Sequence, residues 1–129
     1  MINSNAFNYI NVLHKAADAS LLRNEIIANN IANIDTPNFK RSDVNFEGIL
    51  RNQLQGGQPL DKKVANVKLQ NLEPVVYKDN SNLSYRLDGN NVDIDVESAN
   101  LAENQIRYNA LVDSISHEFN RIKTVLNGL

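Results

Sequence analysis

The chain has 129 residues, a formal net charge of −2 and no cysteine. That length gives one domain with a modest core, the balanced charge leaves no electrostatic footprint for nucleic acid, and the missing Cys excludes disulfides, thiolate zinc sites and a Cys nucleophile. Apolar residues make up 42 % of the sequence, aromatics only 6 %, and Trp is absent, a composition suited to helix-on-helix packing.

From Asn5 to about Ile34 the pattern is helical. One stripe gathers Ala6, Ile10, Leu13, Ala17, Leu21, Ala28 and Ile31, and a second, nearly opposite, gathers Val12, Ala16, Ala19, Leu22 and Ile26. A helix in a two-helix hairpin needs one stripe, so two stripes predict two partners, with small residues on the second side that let a neighbouring helix approach. Residues 35–54 follow as a corner and a short helical turn. Pro37 has no backbone N–H and pushes Thr36 out of the α region, so the helix must end near Asp35. Asn33, Asp35 and Asn38 favour caps and turns, and Phe39 lies where it can fold back on the helix. The helical turn is expected to put Phe46, Ile49 and Leu50 on one side.

Gly56, Gly57 and Pro59 break regular structure, and residues 55–73 read as a flexible surface loop. Residues 74–95 read as a small β region: Val75–Tyr77, Leu83–Leu87 and Val92–Asp95 are strand-prone, and Asp88-Gly89 is good hairpin-turn chemistry. Asp95 is placed to cap the last helix, with Glu97 adding favourable charge in its first turn. That helix, 96–127, carries the cleanest period: Leu101, Gln105, Tyr108, Val112, Ile115, Phe119, Ile122, Leu126 and Leu129 at 4-3 spacing, broken only by Gln105. The fold class expected is therefore mainly α. The N- and C-terminal helices pack antiparallel as a coiled-coil-like hairpin, closed by an irregular segment with a small β-hairpin.

Chemistry for catalysis is missing from the pattern. His14 and His117 sit alone on different helices, outside metal-ligand spacing. Gly56-Gly57 lacks the Lys-Ser/Thr of a phosphate loop, and the acidic residues of the middle segment are scattered singly. Asp93 and Asp95 lack the further ligands of a calcium loop. No enzyme, cofactor, metal or small-molecule substrate is expected. Asn occurs 22 times, often inside helices where its propensity is poor. Compositional bias is the plainer reading, and amide contacts to neighbouring subunits the sharper one.

Ala28–Arg41 reads A-N-N-I-A-N-I-D-T-P-N-F-K-R. It is similar to the N-terminal signature A-N-N-I-A-N-x-x-T-P-x-F/Y-K-R of the flagellar basal-body rod, hook and axial proteins. The matching residues are Ala28, Asn29, Asn30, Ile31, Ala32, Asn33, Thr36, Pro37, Phe39, Lys40 and Arg41. Asn38 stands where Gly is common and tolerates the same left-handed backbone. Ser42–Leu50 and Asp88–Asn109 resemble the corresponding segments of the proximal rod members.

The resemblance implies a structural subunit that polymerises through its terminal helices into the hollow, torque-transmitting rod within the periplasm. It implies export by the flagellar type III apparatus without a cleaved signal peptide, whereas the residues alone, with no basic start or apolar core in Met1–Ile10, default to the cytoplasm. Implied partners are copies of itself, other rod proteins, the MS-ring protein and the small ring–rod junction protein. Packing or interface residues are expected at Ile10, Leu13, Leu21, Ile26, Ile31, Tyr108, Val112, Ile115, Phe119, Ile122 and Leu126. Asn104, Asp113, Asn120 and Lys123 are expected to line the channel. The competing expectation is a soluble coiled-coil adaptor or regulator that binds a single partner helix.

Overall fold

The structure is a computed structural model that describes residues 5–80 and 86–128. Its elements in order are α1 (Asn5–Ala32), β1 (Ser42–Asn45), α2 (Glu47–Gln53), α3 (Leu60–Asn66), a 3-10 turn (Leu69–Asn71), β2 (Val75–Lys78) and α4 (Ile94–Asn127). The fold is mainly α. The two terminal helices pack along each other, and a two-stranded antiparallel sheet lies in the segment between them. Glu97 meets Asn30, while Asn104 meets Ser20 and Asn24, so the helices run antiparallel. At 34 residues, α4 is a rod about 50 Å long.

α1 does have two partners, but both belong to its own chain. Ala19 is buried with Phe46 and Leu72, and Val12, Ala16, Ile49, Leu50, Val67 and Leu69 pack around them. The second stripe of α1 is thus covered by α2, the 3-10 turn and the residues beside them. A neighbouring molecule is not needed there. Covering it requires order in residues 55–73, which read as a loop: α3 buries Val64, and Leu72 is fully enclosed. Scattered Val and Leu on two short elements gave no period to detect, although each places one side chain against α1. Tyr9 donates to Asp61 (2.6 Å) and Lys15 to Glu73 (2.5 Å), tying the same segment to the front half of α1.

The sheet is not a local hairpin. Ser42 pairs with Lys78, Asp43 with Tyr77, Val44 with Val76 and Asn45 with Val75, so the strands are brought together by the long excursion between them. Residues 83–85 of the expected second strand lie outside the described residues. Asp88-Gly89 does turn, the Gly89 N–H donating to Arg86 O (3.1 Å), with Gly89 at φ +76°. Val92 and Asp93 form no strand, because α4 already begins at Ile94. Its N-cap is Asp93 rather than Asp95: Asp93 Oδ1 accepts from the N–H groups of Asp95 (2.9 Å) and Val96 (3.3 Å).

The apolar period of α4 is real, but it is not the seam with α1. The residues of α4 that are not exposed are Glu97, Asn100, Asn104, Arg107, Tyr108, Leu111, Ile115, Glu118 and Ile122. This row is rotated by about 50° from the one read by periodicity. Tyr108, Ile115 and Ile122 lie on the border of the two rows and are half-buried. Leu101, Gln105, Val112, Phe119 and Leu126 are exposed, and Leu129 lies outside the described residues. The seam near the corner is polar, so a search for apolar spacing finds the neighbouring face instead.

Candidate functional site

The signature residues Ala28–Arg41 form the end of α1, a turn, and the entry to β1. The helix stops at Ala32. Successive turns close through Ile34 N–H to Ile31 O (3.2 Å) and Thr36 N–H to Asn33 O (3.0 Å). Pro37 then leads to Asn38, which sits at φ 61°, the left-handed conformation that Asn accepts more readily than most residues. The chain emerges alongside the stretch before α4, running in the same direction: Asn38 N–H donates to Asp88 O (2.7 Å), Asn91 N–H to Phe39 O (3.3 Å), and Lys40 Nζ to Gly89 O. Close approach here explains Gly89, since a Cβ on it would meet Asn38 Oδ1 at 2.7 Å.

Three buried amides fasten this corner. Asn30, fully enclosed, accepts from Ser42 N–H (2.9 Å) and donates to Ser42 O (2.8 Å), copying with one side chain the two bonds of a strand neighbour. Asn90, also enclosed, donates to the carbonyls of Asn33 (2.9 Å), Ile34 (2.9 Å) and Thr36 (3.0 Å). Those carbonyls belong to the turn just past the end of α1, so one amide gathers the whole corner. Asn104 donates to Ser20 O (2.8 Å) and Asn24 Oδ1 (2.7 Å), bridging the helices farther along. It is buried and does not line a channel, because its amide is what holds α4 to α1. Asp113, Asn120 and Lys123 are exposed.

Arg41 is the centre of charge. Its Nε donates to Glu97 (2.5 Å), which is fully buried, and Nη1 donates to Asp79 (2.5 Å), with Asp43 at 3.4 Å. Asn91 completes the frame by accepting from Arg41 N–H (2.7 Å) and donating to Asp79 O (2.8 Å). Burial alone would lower the Arg41 pKa, but its bond to Glu97 and the surrounding carboxylates outweigh that and hold it above the ordinary value. Arg41 therefore stays charged, and it locks together the corner, β2 and the first turn of α4. A second clamp lies one step along α1. Arg23 donates two bonds to Glu47 (2.8 and 2.7 Å), and Arg107 donates to Glu47 (2.6 Å) and Glu103 (2.9 Å). Burial would raise the Glu47 pKa, yet the bonds and charge of the two arginines bring it below the usual carboxylate value.

Of the signature residues, then, Asn30 and Arg41 are buried in the corner. Ile31, Asn33, Phe39 and Lys40 are half-buried, and Ala28, Asn29, Ala32, Thr36 and Pro37 are exposed. Phe39 does not simply fold back on α1; the Lys78 amine stands 5.3 Å above its ring. Asp79, Asn90, Asn91 and the tertiary role of Glu97 were missed by sequence reasoning. The crowding of Asn and Asp between 88 and 95 was the available signal. Of the expected packing residues, Ile10 is buried. Leu13, Ile26, Ile31, Tyr108, Ile115 and Ile122 are half-buried, and Leu21, Val112, Phe119 and Leu126 are exposed.

What remains uncovered is an apolar row on α4. Leu101, Val112, Phe119 and Leu126 share one narrow side of the helix and are all exposed, Phe119 by 52 %. Single exposed apolar residues are ordinary, but a contiguous row marks an interaction surface. Among the described residues no group of three potential metal ligands occurs, and no helix is long and apolar enough to cross a membrane. His14 lies 3.4 Å from Asp18 on the exposed side of α1.

The sequence-family model described as "Flagella basal body rod protein" matches residues 10–40, a span that runs from mid-α1 through the corner. The flagellar basal body rod protein FlgB of Bacillus subtilis (strain 168) is 37 % identical over 117 residues, covering 90 % of this chain and 91 % of that protein. FlgB of Borrelia hermsii is 35 % identical over 132 residues, 91 % and 94 % of the two chains. FlgB of Escherichia coli (strain K12) is 32 % identical over 119 residues, 82 % and 83 %. The likeness spans both terminal helices and the polar corner that joins them, and the chain belongs to the FlgB family of flagellar basal body rod proteins.

Proposed function

We propose that this structural protein, which is not an enzyme, polymerises with copies of itself and other rod proteins through the open face of α4 into a hollow, torque-transmitting shaft. The observation that carries the reading is the uncovered row Leu101, Val112, Phe119 and Leu126 along one side of α4. Four such side chains buried at ~25 cal/mol per Å² supply several kcal/mol per contact, repeated at every subunit. The corner supplies the complement. A shaft transmits torque only if each subunit is stiff, and the Arg41–Glu97–Asp79 cluster joins helix, sheet and second helix at one point. The position of the shaft, in the periplasm between the MS-ring protein with its small junction protein and the other rod proteins, and export through the flagellar type III apparatus without a cleaved signal, are part of the same proposal.

The test is incorporation. Phe119→Asp and Val112→Asp each place a carboxylate in a contact that excludes water, at a cost of several kcal/mol. Both variants are expected to lose motility and rod yield while the free chain keeps its helical content. Normal motility in both would overturn the reading. Sedimentation separates it from the adaptor alternative: heterologous contacts give open-ended growth with concentration, whereas an adaptor stops at a closed dimer.

A further inference from the structure

The two edges of the β1–β2 ribbon are finished differently. On β1 the outward backbone groups are taken by side chains. Asn30 bonds both the N–H and the C=O of Ser42, Arg23 donates to Val44 O (3.0 Å), and Asp43 Oδ1 accepts from Val44 N–H (2.7 Å). In an antiparallel pair, residues alternate between facing the partner strand and facing away. With Ser42 and Val44 facing away, the ladder bonds belong to the Asp43–Tyr77 and Asn45–Val75 pairs. Val76 and Lys78 consequently turn their N–H and C=O groups off the other side, where among the described residues nothing bonds them.

That side is also bare of side-chain cover. All four residues of β2 are exposed, although Val75, Val76 and Tyr77 are strand formers with apolar surface. A two-stranded ribbon this short is marginal on its own, and an apolar edge strand is ordinarily blunted or covered. At its far end the edge is basic. Lys78 stands over Phe39, and Lys40 lines the same shallow hollow with Pro37 and Asn80. The carboxylate of the next residue, Asp79, is held by Arg41.

We propose that the free edge of β2 receives a third strand from another polypeptide: an extended segment of alternating apolar residues with a carboxylate placed to meet Lys78 and Lys40. Two features select this occupant. Two donors and two acceptors at strand spacing are matched by an extended backbone, and two lysine amines beside an aromatic floor attract a carboxylate. The proposal concerns a surface separate from the α4 face and stands whether or not that face polymerises.

The full chain is titrated, by calorimetry, with an acetylated and amidated peptide of alternating Val and Glu. Two controls are the same peptide N-methylated at alternate backbone positions and a peptide of alternating Val and Lys. Saturable binding of the Val–Glu peptide is expected, weakened roughly tenfold or more by either change. Val76→Pro removes an outward N–H and no ladder bond, a substitution that edge strands accept; Lys78→Glu reverses the charge without touching the backbone. Each is expected to weaken binding by a similar factor with unchanged circular dichroism. Absence of saturable binding to the unaltered chain, or equal binding of the N-methylated peptide, overturns the proposal. A homodimer that Val76→Pro dissolves would assign the edge to a second copy and overturn the occupant.

Discussion

Replacing Glu97 with alanine tests whether the polar corner is a structural lock. Glu97 is wholly enclosed and accepts from Arg41 Nε at 2.5 Å and Asn30 Nδ2 at 3.3 Å. Removing it leaves the Arg41 side chain, 7 % exposed, with Asp79 at 2.5 Å and Asp43 at 3.4 Å as its remaining carboxylates. Breaking a buried ion pair costs about 3–5 kcal/mol when the survivor is uncompensated, and because Asp79 stays, the lower end, about 3 kcal/mol, is expected. In a domain of this size that lowers the melting temperature by roughly 10 °C. Glu97→Gln keeps the shape and an acceptor for Arg41, and trades a charged for a neutral hydrogen bond at a cost of about 1 kcal/mol. Urea unfolding followed by circular dichroism measures both variants, with the slope of the transition checking that the unfolded reference is unchanged. A loss below about 1 kcal/mol in Glu97→Ala, at equal slope, would mean that water reaches Arg41 and that the corner is not the lock described.

Other parts of the corner give further expectations. Asn90→Ala removes one donor from the carbonyls of Asn33, Ile34 and Thr36 and the acceptor of the buried Val92 N–H, and should destabilise by about 1–3 kcal/mol, read in the same unfolding assay. Gly89→Ala combines a φ of +76° with a Cβ 2.7 Å from Asn38 Oδ1, so a loss of about 1–2 kcal/mol is expected; Asn38→Gly should be tolerated alone and should recover part of that loss in the double variant. Glu47 has a pKa lowered in the folded chain. Its contribution to stability is thus present above the unfolded carboxylate value, about 4.3, and is lost as pH falls through the lower folded value. Glu47→Gln should flatten that acid limb of a stability-versus-pH series, and an unchanged limb would show that the arginine clamp is not formed.

The long helices were legible because a 3.6-residue period repeated over about thirty positions outweighs several misplaced asparagines. The corner was legible for a local reason: Pro37 forbids continuation, and Asn38 takes a backbone that few residues accept. Strand pairing was not. Ser42–Asn45 carries no alternation, and its partner lies some thirty residues away, joined to it by tertiary contacts alone. The face that α4 turns to α1 was misread because Glu97 and Asn104 occupy it near the corner. Their burial is stabilised by Arg41, Ser20 and Asn24, partners that no spacing rule identifies. The same blindness made the many asparagines look like compositional bias. Asn30, Asn90 and Asn104 instead hold the tertiary structure, each bonding main-chain groups of another segment.

The central claim is that the apolar row of α4, exposed in the single chain, is covered by neighbouring subunits in the rod. Because the chain has no cysteine of its own, a single Val112→Cys provides a clean probe of that face. Its thiol should react rapidly with a water-soluble maleimide in the free chain and be protected in purified basal bodies, while a cysteine at the exposed loop position Gly57 reacts in the free chain. Equal, rapid reaction of Val112→Cys in both states would contradict the account.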